Sequence, residues 1–108
     1  MREKRNQPSP IELLTISALD YLSNQGRAEE ITNYTLRSVD GSGEDGWGDR
    51  EKAVSEAQKD IREKARRIGA EAVVGLVPSI SVTCEHPKSG FLYLGCYMTG
   101  TALIPKKR

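Results

Sequence analysis

Residues 50 to 76 constrain the fold more than any other stretch, because they read as a charged amphipathic helix, a glycine stop and a buried strand. Val54, Ala57, Ile61, Ala65 and Ile68 recur at steps of three and four, which lines them along one helical stripe. Lys52–Glu56, Lys59–Glu63, Asp60–Lys64 and Glu63–Arg67 are opposite charges one turn apart on the remaining surface. Asp49 stands where an N-cap belongs, Glu51 adds negative charge to the first turn, and Lys64, Arg66 and Arg67 gather where the helix dipole favours cations. Gly69 fits the left-handed position that ends many helices. Charges of both signs, interspersed in this way, describe a solvated helix surface rather than a nucleic-acid face.

The rest of the composition narrows the setting. A chain of 108 residues is one domain by length. At that size folding removes roughly 60–65% of the unfolded chain's surface from water. Only 37% of the residues are hydrophobic, so burial shared with further copies would help the fold. The net charge of +1 gives no global attraction to nucleic acid or to a membrane surface. No apolar run has membrane-spanning length and residues 1–10 lack a signal-peptide pattern, which points to the cytoplasm. Two cysteines in that compartment are expected to be reduced thiols.

Residues 1–10 read as a flexible charged arm, with the domain proper at 11–108. Residues 11–25 admit two readings. Ser9, Pro10 and Glu12 have the spacing of a helix start, whereas Ser17 and Asp20 form a second capping box. The preferred reading is a short strand over 13–17, then a short helix over 18–25 stopped by Gly26. Ile31, Thr32, Tyr34, Thr35, Leu36 and Val39 suit a strand over 29–39. The glycines at 41, 43, 46 and 48 then predict a loop over 40–48, with Trp47 packing down onto a neighbouring element or another subunit. Asp40, Ser42, Glu44 and Glu51 approach calcium-loop spacing, but Asp45 occupies the position where such a loop needs glycine, so a polar connection is the better reading.

Two strands follow the helix. Val74, Leu76, Ile80, Val82 and Cys84 alternate with Ser79, Ser81, Thr83 and Glu85, which predicts a half-buried strand with its even face on the core. Pro78 places this strand at an edge or at a bulge. After a turn at 86–90, the proline-free stretch 91–104 can lie inside a sheet. Its even face, Leu92, Leu94, Cys96, Met98, Gly100, Ala102 and Ile104, is apolar and should meet the alanine stripe of the helix. Its odd face carries Phe91, Tyr93 and Tyr97 among hydroxyl side chains, more aromatic surface than a solvated sheet needs, and predicts a subunit interface. The fold class is therefore α+β, with one long helix on an antiparallel sheet and a short N-terminal strand and helix added.

The string ARRIGAEAVVGL at 65–76, a hairpin, and Gly100-Thr101-Ala102-Leu103 before a short basic end together resemble the YbjQ-like family, also called UPF0145. The likeness covers residues 50–108 well and 13–39 more loosely, while the glycine-rich stretch and first helical turns depart from it. The family's proteins are uncharacterised and carry a heavy-metal-binding label. The resemblance implies a two-layer β-α-β-β fold with the last strand central, assembled as a ring-like pentamer.

Chemistry-bearing residues are sparse. Cys84, His86 and Cys96 are the soft-metal candidates, yet their spread does not match compact zinc-ligand spacing. The turn sets Cys96 opposite about residue 80 or 82, too far from Cys84 for a comfortable disulfide. A single histidine on a turn, with no orienting carboxylate in sight, gives no nucleophile-base pair, and the glycine-rich stretch lacks the lysine of a phosphate loop. A small molecule held in a subunit cleft by Tyr93, Tyr97 or Trp47 stays open. The expectation is a non-enzymatic homo-oligomeric module with no resident cofactor, no nucleic-acid or membrane partner, and soft-metal binding through Cys84, His86 and Cys96 as the alternative.

Overall fold

The computed structural model describes residues 11–85 and 92–106; residues 1–10, residues 86–91 with His86 and Phe91, and the last two residues lie outside them. The chain runs through β1 (Glu12–Leu13), α1 (Ala18–Ser23), a 3-10 helix (Ala28–Asn33), β2 (Tyr34–Asp45), α2 (Arg50–Arg67), β3 (Ala72–Glu85) and β4 (Leu92–Pro105). The four strands form one sheet in the order β1-β3-β4-β2. Both long pairings, β3 with β4 and β2 with β4, are antiparallel, and the two-residue β1 adds a parallel pair at the edge. The last strand is internal, as its freedom from proline predicts, and the fold is α+β.

The local signals at both helices translate directly. Asp49 caps α2, its carboxylate accepting the Lys52 N–H, and Gly69 stops the helix at φ 79°. Ser17 caps α1 by accepting the Asp20 N–H, and Gly26 takes φ 70° after it. The buried stripe of α2 is Ala53, Ala57, Ile61 and Ala65, while Val54 and Ile68 sit at its margins. Ion pairs join Lys64 to Asp60 and Arg67 to Glu63, but Lys59 turns back to Glu56 instead of forward to Glu63.

Two predicted elements are corrected. Residues 28–33 form a 3-10 helix, so the strand expected from 29 starts at Tyr34. The supposed loop is strand as far as Asp45, paired residue by residue with β4 down to Asp45 opposite Leu94. The reason lies in the packing of α2. A Cβ built on Gly41 would stand 2.6 Å from the Ile61 nitrogen and 2.8 Å from the Ala57 carbonyl oxygen. On Gly43 it would stand 2.5 Å from the Ala53 carbonyl oxygen and closer still to the Ala57 nitrogen. Helix and strand touch backbone to backbone, so these glycines serve close approach and not a turn. The actual turn is short. Asp45, buried, accepts the N–H groups of Trp47 and Asp49 at 3.0 and 2.7 Å and swings the chain into α2. Trp47, on this turn, is 70% exposed.

The sheet is covered on both faces, each over part of its length. On one face α2 packs Ala53, Ala57, Ile61 and Ala65 against Val73, Cys96 and Met98, with Ile11 beside them. On the other, Tyr21 and Leu22 of α1 pack with Tyr34, Ala72, Val74 and Leu103. A polar tie holds that smaller layer. Glu71 accepts the hydroxyls of Tyr21 and Tyr34 at 3.0 and 2.7 Å and pairs with Arg27 at 3.4 Å, and Arg27 also donates to Tyr34 and Glu30.

The strict alternation expected along β3 is broken. Gly75, at φ 62°, marks a register shift between Val74 and Val77, so Val74 faces α1 while Ile80 shares a face with its partner Cys96. Pro78 stays within the ladder opposite Met98, on the part of β3 that forms the sheet edge.

Replacing Gly43 by Ala is expected to cost about 3 kcal/mol or to prevent folding, because both clashing atoms belong to the helix backbone. Urea unfolding of Gly43→Ala beside Gly26→Ala checks this; Gly26 has nothing within 4 Å of a Cβ and loses only the roughly 1–2 kcal/mol of a left-handed residue. Removing the Asp45 carboxylate as Asp45→Ala should cost about 2 kcal/mol, since two backbone N–H groups lose a charged acceptor.

Candidate functional site

Among the described residues, the structure does not bring the side chains singled out for chemistry together. Cys96 lies opposite Ile80, as the turn length predicts, and is 2% exposed beneath α2. Burial pushes its thiol up, away from the thiolate that binds soft metals, although a hydrogen bond involving the Ser79 backbone works the other way. The backbone of Cys84 pairs with Tyr93, three residues along β4 from Cys96, a separation on the order of 10 Å. His86 lies outside the described residues. Among the described residues no three histidine, cysteine or acidic side chains gather as a metal site would require. The calcium-like spacing is also dispersed, because Asp40, Ser42 and Glu44 lie on the extended β2.

The aromatic face predicted for β4 divides as well. Tyr93 is half-buried, its ring close to Gly46, where an added Cβ would stand 3.1 Å away. Tyr97 is 48% exposed and its hydroxyl donates to Asp40 at 2.7 Å. Phe91 lies outside the described residues. Exposed apolar side chains gather instead on β3, at Val77, Ile80 and Val82, 60%, 37% and 57% exposed.

One concave surface stands out on the face opposite α2. A groove of about 450 Å³ runs over the middle of the sheet, lined by Ser38, Asp40, Gly75, Tyr97, Thr99 and Thr101 and by the backbone around them. Directly paired strand residues share a face, and here Ser38 lies opposite Thr101 and Asp40 opposite Thr99. Asp40 is the hinge of the arrangement. The Tyr97 hydroxyl and the Lys64 ammonium, 3.5 Å from its other oxygen, hold its carboxylate below the ordinary range, and the same hydrogen bond raises Tyr97. Sequence reasoning found the hydroxyl alternation of β4 but assigned Asp40 to a loop. Its position appears only once β2 is known to run on through the glycines.

Cys96→Ala is expected to cost about 1–2 kcal/mol by leaving a small cavity under α2. In a Cys84→Ser background, a thiol reagent should label Cys96 far more slowly in the native protein than in urea. Equal rates would show that the thiol is open to solvent.

The sequence matches no family model and no curated relative. A solved structure does share the fold: a protein of unknown function from Pediococcus pentosaceus ATCC 25745, described as belonging to the DUF74 family. It matches 91% of this chain and 100% of its own at a TM-score of 0.57, with 14% sequence identity, and the chain is thereby similar to it in fold.

Proposed function

We propose that this protein is a non-enzymatic homo-oligomeric module of the YbjQ-like type, built to self-associate through its sheet. One observation carries the reading. The segment 14–16 hydrogen-bonds to β3 only as far as Leu76, and among the described residues no strand pairs with the outer edge of β3 beyond it. That bare edge carries Val77, Ile80 and Val82, which is the combination of unpaired backbone and apolar side chains that a second strand recognises. The geometry explains why it is bare. Strands of 14 residues reach about 46 Å whereas a helix of 18 reaches about 27 Å, so the β3–β4 hairpin outruns α2. Fold likeness to a DUF74 protein and the resemblance at residues 65–76 and 100–103 support membership of one family, for which a ring-like pentamer is the implied assembly. The two edges of this sheet, on β2 and on distal β3, are unlike, and unlike surfaces joining head to tail form a ring where the rotation between copies closes.

Native mass spectrometry of the untagged protein is expected to give a closed oligomer, and a monomer at micromolar concentration overturns the proposal. Burying an Ile or Val side chain contributes about 1.5–3 kcal/mol, so Ile80→Lys and Val82→Lys should each weaken association by about tenfold or more with circular dichroism unchanged. Repeating the spectra after addition of zinc, copper or cadmium tests the alternative. A metal-loaded mass that disappears in Cys84→Ala and Cys96→Ala would move the function to soft-metal binding.

A further inference from the structure

We infer that the groove on the face opposite α2 binds a small neutral polyhydroxylated ligand of the size and chemistry of a monosaccharide. Its volume of about 450 Å³ lies within the roughly 300–1,000 Å³ of small-molecule sites. Its lining carries the hydroxyls of Ser38, Thr99 and Thr101, each able to donate or accept by rotation, which suits a ligand whose groups do the same. Asp40 and the Tyr97 oxygen supply acceptors in fixed places, because the phenol commits its proton to the carboxylate at 2.7 Å and keeps its lone pairs for a ligand O–H. The half-exposed Tyr97 ring offers apolar surface for the C–H face of a sugar ring.

Charge decides between ligand classes. The only ionised side chain in the lining is a carboxylate, which repels phosphate and carboxylate ligands. Lys64, 3.5 Å from Asp40, offsets that charge and weakens the attraction for a cation. A neutral polyol uses the acceptors without a charge mismatch. The wall at Gly75 lacks a side chain, and the bulge there departs from the regular ladder, giving the surface its concavity. Every polar group named stands on β2 or β4, paired strands that hold it in place before a ligand arrives. Of the proposed assembly edge, Ile80 and Val82 lie on the α2 side of the sheet and only Val77, opposite Thr99, lies on the groove side, outside the groove lining, so occupation of the groove and assembly can coexist.

The test is a set of amide correlation spectra of the full chain, titrated separately with glucose, galactose, mannose, ribose, spermidine and inorganic phosphate. At least one sugar is expected to give saturable shifts at Ser38, Asp40, Tyr97, Thr99 and Thr101, with none from spermidine or phosphate. Asp40→Asn and Thr99→Val, which keep side-chain shape, should each raise the Kd for that sugar tenfold or more while the amides of Ala57 and Ile61 report an intact fold. The inference is overturned if no sugar gives saturable shifts in the groove, if spermidine or phosphate shifts these amides instead, or if both variants bind as the natural protein does.

Discussion

The whole structure depends on a contact between two backbones. Helix α2 lies so close over β2 that its carbonyl and amide groups at Ala53, Ala57 and Ile61 occupy the space where side chains of Gly41 and Gly43 would be. Close approach of this kind gains dispersion over many atom pairs and excludes water without any large side chain, which matters in a chain whose buried helix stripe is three alanines and one isoleucine. Every other feature follows from where this contact fixes the helix. It covers β2 and β4, leaves distal β3 uncovered, and turns the opposite face of the sheet over to α1 and to the groove.

Much of this was legible from residues alone. The α2 period, the caps at Asp49 and Ser17, the stops at Gly26 and Gly69, and the internal position of β4 each rest on a local rule that tertiary packing did not override. The misreadings have an equally specific cause. Glycine signals a turn when only neighbours in sequence are considered, and at 41 and 43 the deciding neighbours are 10 to 20 residues away on α2. The phase of β3 was misjudged for a related reason: one left-handed Gly75 transfers the following residues to the other face, and nothing in the alternation of 79–85 betrays it.

The site was less legible than the fold because its parts come from segments that looked unrelated. Thr99 and Thr101 were visible as a polar alternation on β4, but Ser38 and Asp40 acquire meaning only through the β2–β4 register. Cys96 shows the same dependence on packing: its residue type suggests metal chemistry, whereas burial under α2 gives it the surroundings of a small apolar side chain.

The glycines of β2 also bear on how the domain opens. A segment with glycine at 41 and 43 has little intrinsic preference for extended backbone, so its order is borrowed from α2 above and β4 beside it. Lifting the helix removes the reason for residues 40–45 to stay extended, and loss of those residues removes the floor on which the helix rests. Helix and half-strand therefore form and dissolve as one cooperative unit, while the antiparallel β3–β4 pair carries a separate share of the domain's stability.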